Sequence, residues 1–311
     1  MRKVEDKVAF ITGGSSGIGL GIARAFVDKK MKVVIGYRTK AHLEEAMRFF
    51  EKTRDRVHAL SVDVTDRQSM EKAAAETVQV FGKVHVLVNN AGVVGFAPLS
   101  GTSYDDWLWM MNVNVHGVFN GVHSFLPRIQ AHGDGGHIIT TSSIAGLFAG
   151  SGAASYITSK FAVIGMMEAL RWELDDSNIG VSVYCPGMVR SNIIHSNRNR
   201  PGNLGNTSFD QRPETIAAVE KHMKNPEIAM DPLKAGQLVL RGMRNNDLYI
   251  LTHPEYRQIM KDRLEAIITS NPTNLHPNNM QKEVMRSMRQ SIYRSELDRK
   301  TCTEERGETA K

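Results

Sequence analysis

A tyrosine and a lysine stand four residues apart in this sequence, at Tyr156 and Lys160. The apolar residues after them recur at helical spacing, so both side chains should share one face of a helix. A free phenol titrates at about pH 10, and a neighbouring cation favours the phenolate form. The pair could therefore act as a general acid or base near neutral pH, although the spacing alone is common by chance.

A glycine-rich segment, residues 12–19, follows the first apolar run, and a helical pattern begins directly after it. Glycine lets the backbone turn tightly and approach a pyrophosphate, while a helix N-terminus offers free N–H groups and a positive dipole end. The segment therefore predicts a dinucleotide site. The residues we assign to it are Gly13, Ser15, Ser16, Gly17, Ile18 and Gly19.

The end of the second apolar run bears on which dinucleotide binds. An acidic residue there binds the adenosine ribose of NAD, whereas an arginine accommodates the extra phosphate of NADP. Here the run ends in Tyr37, Arg38, Thr39 and Lys40, without a carboxylate. Arg38 could bind phosphate through two donors with Lys40 close behind, although it could also simply cover a strand end. We therefore predict NADP(H).

Two further polar clusters follow the third and fourth apolar runs. Asp63, next to Val64, could accept a hydrogen bond from the adenine amino group or cap the helix that starts near Asp66. The segment Asn89 to Gly92 could form a wall beside a ribose or a turn that ties neighbouring strands together. Its residues assigned to cofactor binding are Asn90, Ala91 and Gly92.

Seven short, β-branched apolar runs alternate with segments of helical periodicity. This alternation is typical of βαβ units in a parallel sheet. We predict an α/β fold, doubly wound (Rossmann), with a parallel seven-stranded sheet and helices on both faces, whose ligands bind beyond the carboxyl ends of the strands. The runs are Val8 to Ile11, Lys32 to Ile35, His58 to Val62, Val84 to Val88, His137 to Thr141, Val181 to Tyr184 and Leu248 to Leu251.

The chain should form a single domain with a C-terminal extension. We assign residues 1–255 to a dinucleotide-binding catalytic domain, in which residues 188–231 form a substrate loop insertion with one helix from Glu214 to Met223. Residues 256–311 form a C-terminal helix, continuing from Pro254 to Ile268, and a polar tail. Because the tail is rich in polar and charged residues, we expect it to be weakly ordered or dependent on a partner.

The glycine pattern at 13–19, Asn89 to Gly92, Ser143 and the Tyr156/Lys160 pair occur in the order seen in short-chain dehydrogenases/reductases. Over about residues 5–255 the chain resembles this family. The resemblance implies an NADP(H)-dependent oxidoreductase that interconverts a secondary alcohol and a ketone or aldehyde by hydride transfer.

The resemblance also implies individual roles. Tyr156 is similar to the general acid/base, and Lys160 to the residue that lowers the tyrosine pKa and binds the nicotinamide ribose. Ser143, rather than Ser142, matches the serine that holds the reacting oxygen, and Asn114 the asparagine that holds a water. Ser191 stands where the family usually has a threonine that contacts the carboxamide. The residues assigned to the cofactor around it are Pro186, Gly187, Val189 and Ser191.

Substrate choice should lie in residues 94–99, 144–154 and 188–231, which would surround the nicotinamide. Their apolar side chains favour a bulky hydrophobic or aromatic ketone or secondary alcohol. The stretch Gly180 to Pro201 is similar to family members that oxidise benzylic alcohols in lignin-derived aryl ethers. The substrate-contacting residues we assign are Phe96, Ser143, Leu147, Phe148 and Met188.

Two alternatives stay open. A 3-oxoacyl or keto-ester reductase shares the whole set of catalytic residues, and basic loop residues such as Arg190 would suit a phosphopantetheine carrier, but the long insertion is unlike compact acyl reductases. The other alternative, from another class, is a protein that binds NADPH with little catalysis and recruits partners through its basic tail.

Composition argues against other functions. The net charge of +6 is spread along the chain, and the densest basic stretch, Arg286 to Lys300, includes acidic residues, so we expect no nucleic-acid partner. No run is long enough to cross a membrane, and we expect a cytoplasmic protein. The segments 104–130 and 155–175 should pair copies into a homodimer or homotetramer.

We expect no metal site and no disulfide. Cys185 and Cys302 lie far apart, without a second ligand at metal spacing, and Cys185 should be a small buried group on the sixth strand. The histidines near the assigned motifs, His116, His195 and His253, also lack such partners and are interpreted as structural or surface residues.

Overall fold

The computed structural model describes residues 1–287 and 292–305, and within these ranges the chain forms a parallel sheet of seven strands with helices on both faces. The strand order is β3-β2-β1-β4-β5-β6-β7, so the direction of winding reverses between β1 and β4. The predicted doubly wound α/β fold is confirmed. The strands are β1 (Val8–Thr12), β2 (Lys32–Tyr37), β3 (Val57–Ser61), β4 (Val86–Asn89), β5 (Gly136–Thr141), β6 (Ile179–Cys185) and β7 (Tyr249–Leu251).

The strands read as continuous apolar runs because both faces of the sheet are covered. Phe10 of β1 points into one apolar cluster, where it stacks on Phe125 with ring centroids 4.5 Å apart. Its neighbour Ile11 points into the cluster on the other face. The helices that cover the two faces and continue toward the C-terminus are α1 (Gly17–Val27), α2 (Lys40–Met47), α3 (Arg67–Phe81), α4 (Tyr104–Met111), α5 (Gly117–Ala131), α6 (Ala154–Glu173), α7 (Pro213–Lys224), α8 (Pro232–Asn245), α9 (Arg257–Thr269), α10 (Asn279–Ser287) and α11 (Ile292–Glu305).

The segment between α4 and α5 is a π-helical turn from Asn112 to His116. Its end is marked by the Gly117 N–H, which donates to the Asn112 carbonyl five residues back. Such turns are frequent at functional sites because they displace side chains from the regular helical positions. Here the turn contains Asn114, one of the assigned site residues.

The two ends of the insertion after β6 are joined to each other. A parallel bridge joins Val189 to Met230, and it is flanked by hydrogen bonds of 3.0 Å from Met230 N–H to the Met188 carbonyl and from Arg190 N–H to the Met230 carbonyl. Inside the insertion the chain forms a 3₁₀ segment, Ile193–Asn199, and helix α7. The helix expected at residues 214–223 is present and extends one residue further at each end.

The described residues of the C-terminal extension are largely helical, and the expectation of a weakly ordered or partner-dependent tail stays a prediction. After a 3₁₀ turn at Pro254–Tyr256 the described residues form α9, α10 and α11. Helix α11 packs on the body through buried Ile292 and through Glu296, which accepts a hydrogen bond of 3.1 Å from the Leu248 N–H. Because the few contacting residues are scattered among charged residues, they could not be recognised from the composition of the tail. Residues 306–311 lie outside the described part of the chain.

Other expectations concern the cysteines and the membrane. Cys185 is fully buried on β6, as expected, while the side chain of Cys302 lies outside the description. Across the described residues, no helix combines the length and apolar character needed to cross a membrane.

Candidate active site

A cleft of about 420 Å³ opens beyond the carboxyl ends of β1, β4, β5 and β6, where the sheet changes winding direction. Ligands of doubly wound proteins bind at this position. The structure brings nearly all of the assigned cofactor residues to its walls. Those lining it are Gly13, Ser15, Ser16, Gly17, Ile18, Arg38, Asp63, Val64, Asn90, Ala91, Gly92, Tyr156, Lys160, Pro186, Gly187, Val189 and Ser191.

The glycine-rich loop forms the floor of the cleft at the start of α1. Ser16 caps α1 without a side-chain hydrogen bond to the helix, so the first N–H groups of α1 remain available to an anion. Gly19 lies behind the loop and not in the lining. A Cβ on Gly19 would overlap the Gly13 carbonyl oxygen and lie 2.5 Å from Asn90 Nδ2, so only glycine permits this close packing.

Thr12 ties the loop to β4, a role that the sequence reasoning missed. Its hydroxyl accepts hydrogen bonds from the N–H groups of Asn90, at 2.8 Å, and Ala91, at 3.0 Å. The Asn90 side chain returns a hydrogen bond of 3.1 Å to the Thr12 carbonyl. The segment Asn89 to Gly92 thus both joins neighbouring strands and lines the cleft, as the two interpretations had proposed separately.

At the far end of the cleft, Arg38 lies 3.7 Å from Asp63, with both side chains about half exposed. Asp63 accepts hydrogen bonds from the Thr65 backbone and hydroxyl, whereas the cap of α3 is Asp66. The alternative in which Asp63 caps that helix is therefore wrong. His42, which we had not assigned, also lines this end and adds a second nitrogen donor beside Arg38.

Tyr156 and Lys160 lie on the first turns of α6, and Ser143 faces them from the end of β5. The Ser143 and Tyr156 side chains both line the cleft, and Ser143 is near enough to the phenol to affect its pKa. Lys160 Nζ donates to the Thr141 carbonyl at 3.0 Å and lies 5.5 Å from the centre of the Tyr156 ring. The Ser142 hydroxyl is buried and donates to the Lys160 carbonyl at 2.9 Å, so Ser143 is the serine free to meet a ligand.

Burial perturbs both titrating groups of this cluster. It raises the pKa of Tyr156, while the nearby Ser143 side chain acts in the opposite direction. Burial also lowers the pKa of Lys160 to about 8. A phenol that keeps its proton at neutral pH, beside an ammonium group with little solvent, can donate that proton and then be stabilised as the phenolate.

Asn114 lies behind the cleft and does not line it. Its buried side chain accepts a hydrogen bond from the Val93 N–H at 2.9 Å and donates to the Val93 carbonyl and the Ser159 hydroxyl at 3.0 Å each. The amide therefore fixes the strand-β4 loop against α6. A water held at this residue would have to donate to the amide oxygen or contact the main chain, because the amide nitrogen is already engaged.

A second, apolar pocket of about 320 Å³ adjoins Tyr156. Among the described residues, no charged side chain lines it. The assigned residues Phe96 and Phe148 do lie in its wall, and Met188 lies in the cofactor cleft. Leu147 lines neither cavity and is partly buried against the protein core. The lining is Val94, Phe96, Ile144, Ala145, Phe148, Gly150, Ser151, Ala153, Tyr156, Ile157, Ile193, Ile194, Val219 and Met223.

Two lining residues from distant segments escaped the sequence reasoning. Met223 of α7 borders both cavities. The sequence signal that could have identified it was its place on the apolar side of a predicted helix in the substrate loop. Tyr256 lines the cofactor cleft and stacks on Phe148 with ring centroids 5.8 Å apart. The available sequence signal for Tyr256 was its position shortly after the carboxyl end of β7.

The arginines of the substrate loop are all engaged by the protein. Arg190 forms an ion pair with Asp231, and Arg198 donates to the carbonyls of the 3₁₀ segment that carries it. Arg200 is buried against Asp106, with 2.8 Å between its Nε and the carboxylate. Arg190 and Arg200 are thus paired with carboxylates, whereas Arg198 lines the cofactor cleft.

The histidines have structural partners. His116 contacts Asn112, His195 forms an ion pair with Glu220, and His253 accepts a hydrogen bond of 3.0 Å from the Gly187 N–H. His253 also contacts the Met188 carbonyl at 3.1 Å. It therefore holds the cleft wall that follows β6.

One cluster in the described residues has metal-ligand composition: His85, His132 and Asp134. His85 Nδ1 accepts the Val8 N–H, so ligation through its other nitrogen would require a doubly deprotonated ring. His132 uses one nitrogen on the Val84 carbonyl and the other on the Asp134 N–H. The hydrogen bonds therefore leave this cluster unsuited to a metal.

Comparison with known proteins agrees with this geometry. The family profile described as short chain dehydrogenase matches residues 7–202. The C alpha-dehydrogenase of Sphingobium sp. strain SYK-6 is 36% identical over 271 residues, which cover 87% of this chain and 88% of that protein. The 3-oxoacyl-[acyl-carrier-protein] reductase of Thermotoga maritima is 33% identical over 189 residues, covering 61% of this chain and 76% of that protein.

A solved structure gives the same assignment. The crystal structure of a short chain dehydrogenase/reductase from Burkholderia phymatum in complex with NAD has a TM-score of 0.81 and 30% identity, and the match covers 89% of this chain and 100% of that one. A nicotinamide cofactor is therefore the group that the cleft is built to hold. With the matched profile, the fold and the cleft in agreement, the chain belongs to the short-chain dehydrogenase/reductase family of oxidoreductases.

Proposed function

We propose that this protein is an NADP(H)-dependent oxidoreductase that interconverts a secondary alcohol and a ketone, or an aldehyde, with Tyr156 as general acid/base. The observation that carries the proposal is the position of Tyr156, which lines the cofactor cleft together with Ser143 and Lys160 and also lines the adjoining apolar pocket. A carbonyl at this junction reaches both hydroxyls. Its carbon then faces the cleft, and its substituents face the apolar pocket.

In the reducing direction the bound cofactor supplies the hydride to the carbonyl carbon. Ser143 donates a hydrogen bond to the carbonyl oxygen, and Tyr156 gives its phenolic proton to the same oxygen as negative charge develops there. The nearby Lys160 ammonium stabilises the phenolate that remains. In oxidation the phenolate removes the hydroxyl proton instead. Asn114 acts as a positioning residue, because its amide joins Val93 to α6.

The preference for NADP(H) rests on Arg38. It is half exposed at the end of β2, with His42 beside it, where an added phosphate would accept hydrogen bonds. The carboxylate nearest to Arg38, Asp63, lies after β3 rather than at the end of β2, the position that would bind the ribose of NAD. Ser191 lines the other end of the cleft and is proposed to contact the carboxamide.

The substrate proposed for the apolar pocket is bulky, uncharged and hydrophobic or aromatic. The described lining offers two phenylalanines, several isoleucines and valines, and few polar atoms. A related protein, from Sphingobium, is a C alpha-dehydrogenase, which fits an alcohol oxidation or its reverse.

A 3-oxoacyl or keto-ester reductase shares the catalytic residues, and the Thermotoga relative carries that name. Its carrier would need open cationic groups at the mouth, but Arg190 and Arg200 are each paired with a carboxylate of the protein. We therefore rank this function second. A protein that binds NADPH with little catalysis is third, since no member of the catalytic set is missing.

We also propose a homodimer or homotetramer in the cytoplasm, with a small molecule as substrate. The segments expected to pair copies carry large exposed apolar side chains, Leu108 and Phe119 on α4 and α5 and Trp172 on α6. Exposed apolar groups of this size on neighbouring helices favour association.

The test is the initial rate of NADPH oxidation, and of NADH oxidation alongside, over a panel of aromatic ketones, aldehydes and keto-esters. We expect turnover that prefers NADPH and an aromatic ketone, and that falls at least about a thousandfold in Tyr156→Phe, because the proton donor is lost. Tight NADPH binding without turnover of any carbonyl would contradict the enzymatic proposal. Preference for acyl thioesters would favour the second function.

A further inference from the structure

Asp106 is a buried carboxylate that the proposed mechanism does not use. It lies in the first turn of α4, two residues after Tyr104, and has no exposed surface. Burying a carboxylate is costly unless donors surround it. Here the donors come from the substrate loop, about a hundred residues later in the chain.

The donors to Asp106 are numerous and well placed. Arg200 Nε lies 2.8 Å away, and the Ser208 N–H and hydroxyl lie 2.5 and 2.8 Å away. Thr207 and Ser103 add hydroxyl donors at 3.1 Å each. Burial alone would raise the pKa of Asp106, but the hydrogen bonds from Ser208, Arg200 and Ser103 outweigh it and the pKa is lowered. The group is therefore an anion that holds the loop.

The Arg200 guanidinium extends this contact into the loop. It donates to the carbonyls of Leu204 and Gly205, while the neighbouring Asp105 accepts the Gly205 N–H at 3.1 Å. Residues 200–208 are thus folded around one buried ion pair. We call this arrangement the Asp106 clamp.

The clamp fixes the parts of the loop that face the substrate pocket. Phe209, directly after the clamp, is buried against Gly95, and the Asp210 N–H donates to the Phe96 carbonyl at 2.8 Å. Before the clamp, the Ser196 hydroxyl accepts the Val94 N–H at 3.0 Å. Val94 and Phe96 belong to the pocket wall, and the 3₁₀ segment containing Ser196 supplies the opposite wall.

We propose that Asp106 is a positioning residue for substrate binding, whose buried carboxylate holds the substrate loop closed and so sets the walls of the apolar pocket. This inference rests on the proposed function of that pocket. The proposed role concerns substrate binding and not the chemical step, because the clamp contacts neither Tyr156 nor the cofactor cleft.

The test compares the wild type with Asp106→Asn, which keeps the shape but removes the charge that pairs with Arg200. The matched control is Asp298→Asn, the same acid-to-amide change in an exposed ion pair on α11. We expect KM for the best carbonyl to rise at least about tenfold in Asp106→Asn, the factor that corresponds to about 1.4 kcal/mol. The values of kcat and of the NADPH dissociation constant should stay within about threefold of wild type.

A second measurement needs no substrate. Chymotrypsin should cleave after Phe209, whose ring is buried while the clamp is closed, at least about ten times faster in Asp106→Asn than in either control protein. If Asp106→Asn does not fold, the loop-side variant Thr207→Val with Ser208→Ala removes hydroxyl donors from the same carboxylate without altering α4. We expect this double variant also to raise KM and the rate of cleavage, but by smaller factors.

A folded variant with wild-type KM and wild-type cleavage would overturn the proposal, and so would a loss confined to kcat. If the wild type reduces no carbonyl, the proposed function fails. The cleavage rate and NADPH affinity still decide whether Asp106 holds the loop, so the two failures are distinguishable.

Discussion

Replacement of Arg38 by leucine should change the choice between cofactors. Hydrogen bonds to charged groups contribute about 1.5–3 kcal/mol. Arg38 is about half exposed and lies 3.7 Å from Asp63, so solvent and that carboxylate both weaken its attraction for a phosphate. We therefore take the lower part of the range, about 1.5–2 kcal/mol. This predicts a fall in kcat/KM for NADPH of roughly ten- to thirtyfold.

For NADH the same substitution should change kcat/KM by less than about threefold, since no phosphate meets the arginine. The assay is the ratio of kcat/KM values for the two cofactors with one saturating carbonyl, at low and at moderate salt. Lys40→Leu is the matched control, because Lys40 is a nearby cation outside the cleft lining. An unchanged ratio in Arg38→Leu, or a wild type that already prefers NADH, would refute the reasoning.

Two further predictions concern packing and acid stability. Gly19→Ala should weaken NADPH binding at least about tenfold, measured by fluorescence titration, because the new Cβ would collide with the glycine-rich loop and Asn90. Gly202→Ala, where a Cβ meets open space, is its control, and equal affinities in both variants would contradict the prediction. His85 is buried and uncharged, and burial with nearby cations lowers its pKa from 6.5 to about 4. Its contribution to stability is therefore present above about pH 6.5 and is lost as the pH falls toward 4, by up to about 3 kcal/mol. In His85→Asn, whose Oδ1 can still accept the Val8 N–H, urea unfolding at pH 7 and pH 4.5 should show a smaller difference than in wild type, and equal differences would argue against this role.

The parts of the site that the sequence could predict lie directly after strands. Gly13, Arg38 and Ser143 each follow a short apolar run, and parallel strands bring their carboxyl ends to one edge. Tyr156 and Lys160 were recognisable because helical spacing places them together. For these residues local sequence and position in the fold determine the location.

The residues that escaped prediction meet across long stretches of chain. Asp106 and Arg200 are separated by 94 residues, and neither carries a local signature that distinguishes it from a surface charge. Tyr256 reaches the cleft only because β7 ends beside β6. Leu147 is a different case, because its apolar character fits the core as well as a pocket, and it packs against the core without lining either cavity.

The bridge between Val189 and Met230 joins the two ends of the substrate loop, so the segment between them can be exchanged as a unit. Since the two ends of the insertion are already joined beside β6, the length between them can change while the sheet stays as it is. Each doubling of a flexible loop adds only about 0.6 kcal/mol of closure entropy. New substrate pockets can therefore arise on this scaffold by exchange of segments within the insertion, provided that Ser191 stays in the cofactor cleft and that the exchanged segment brings its own partner for the aspartate on α4.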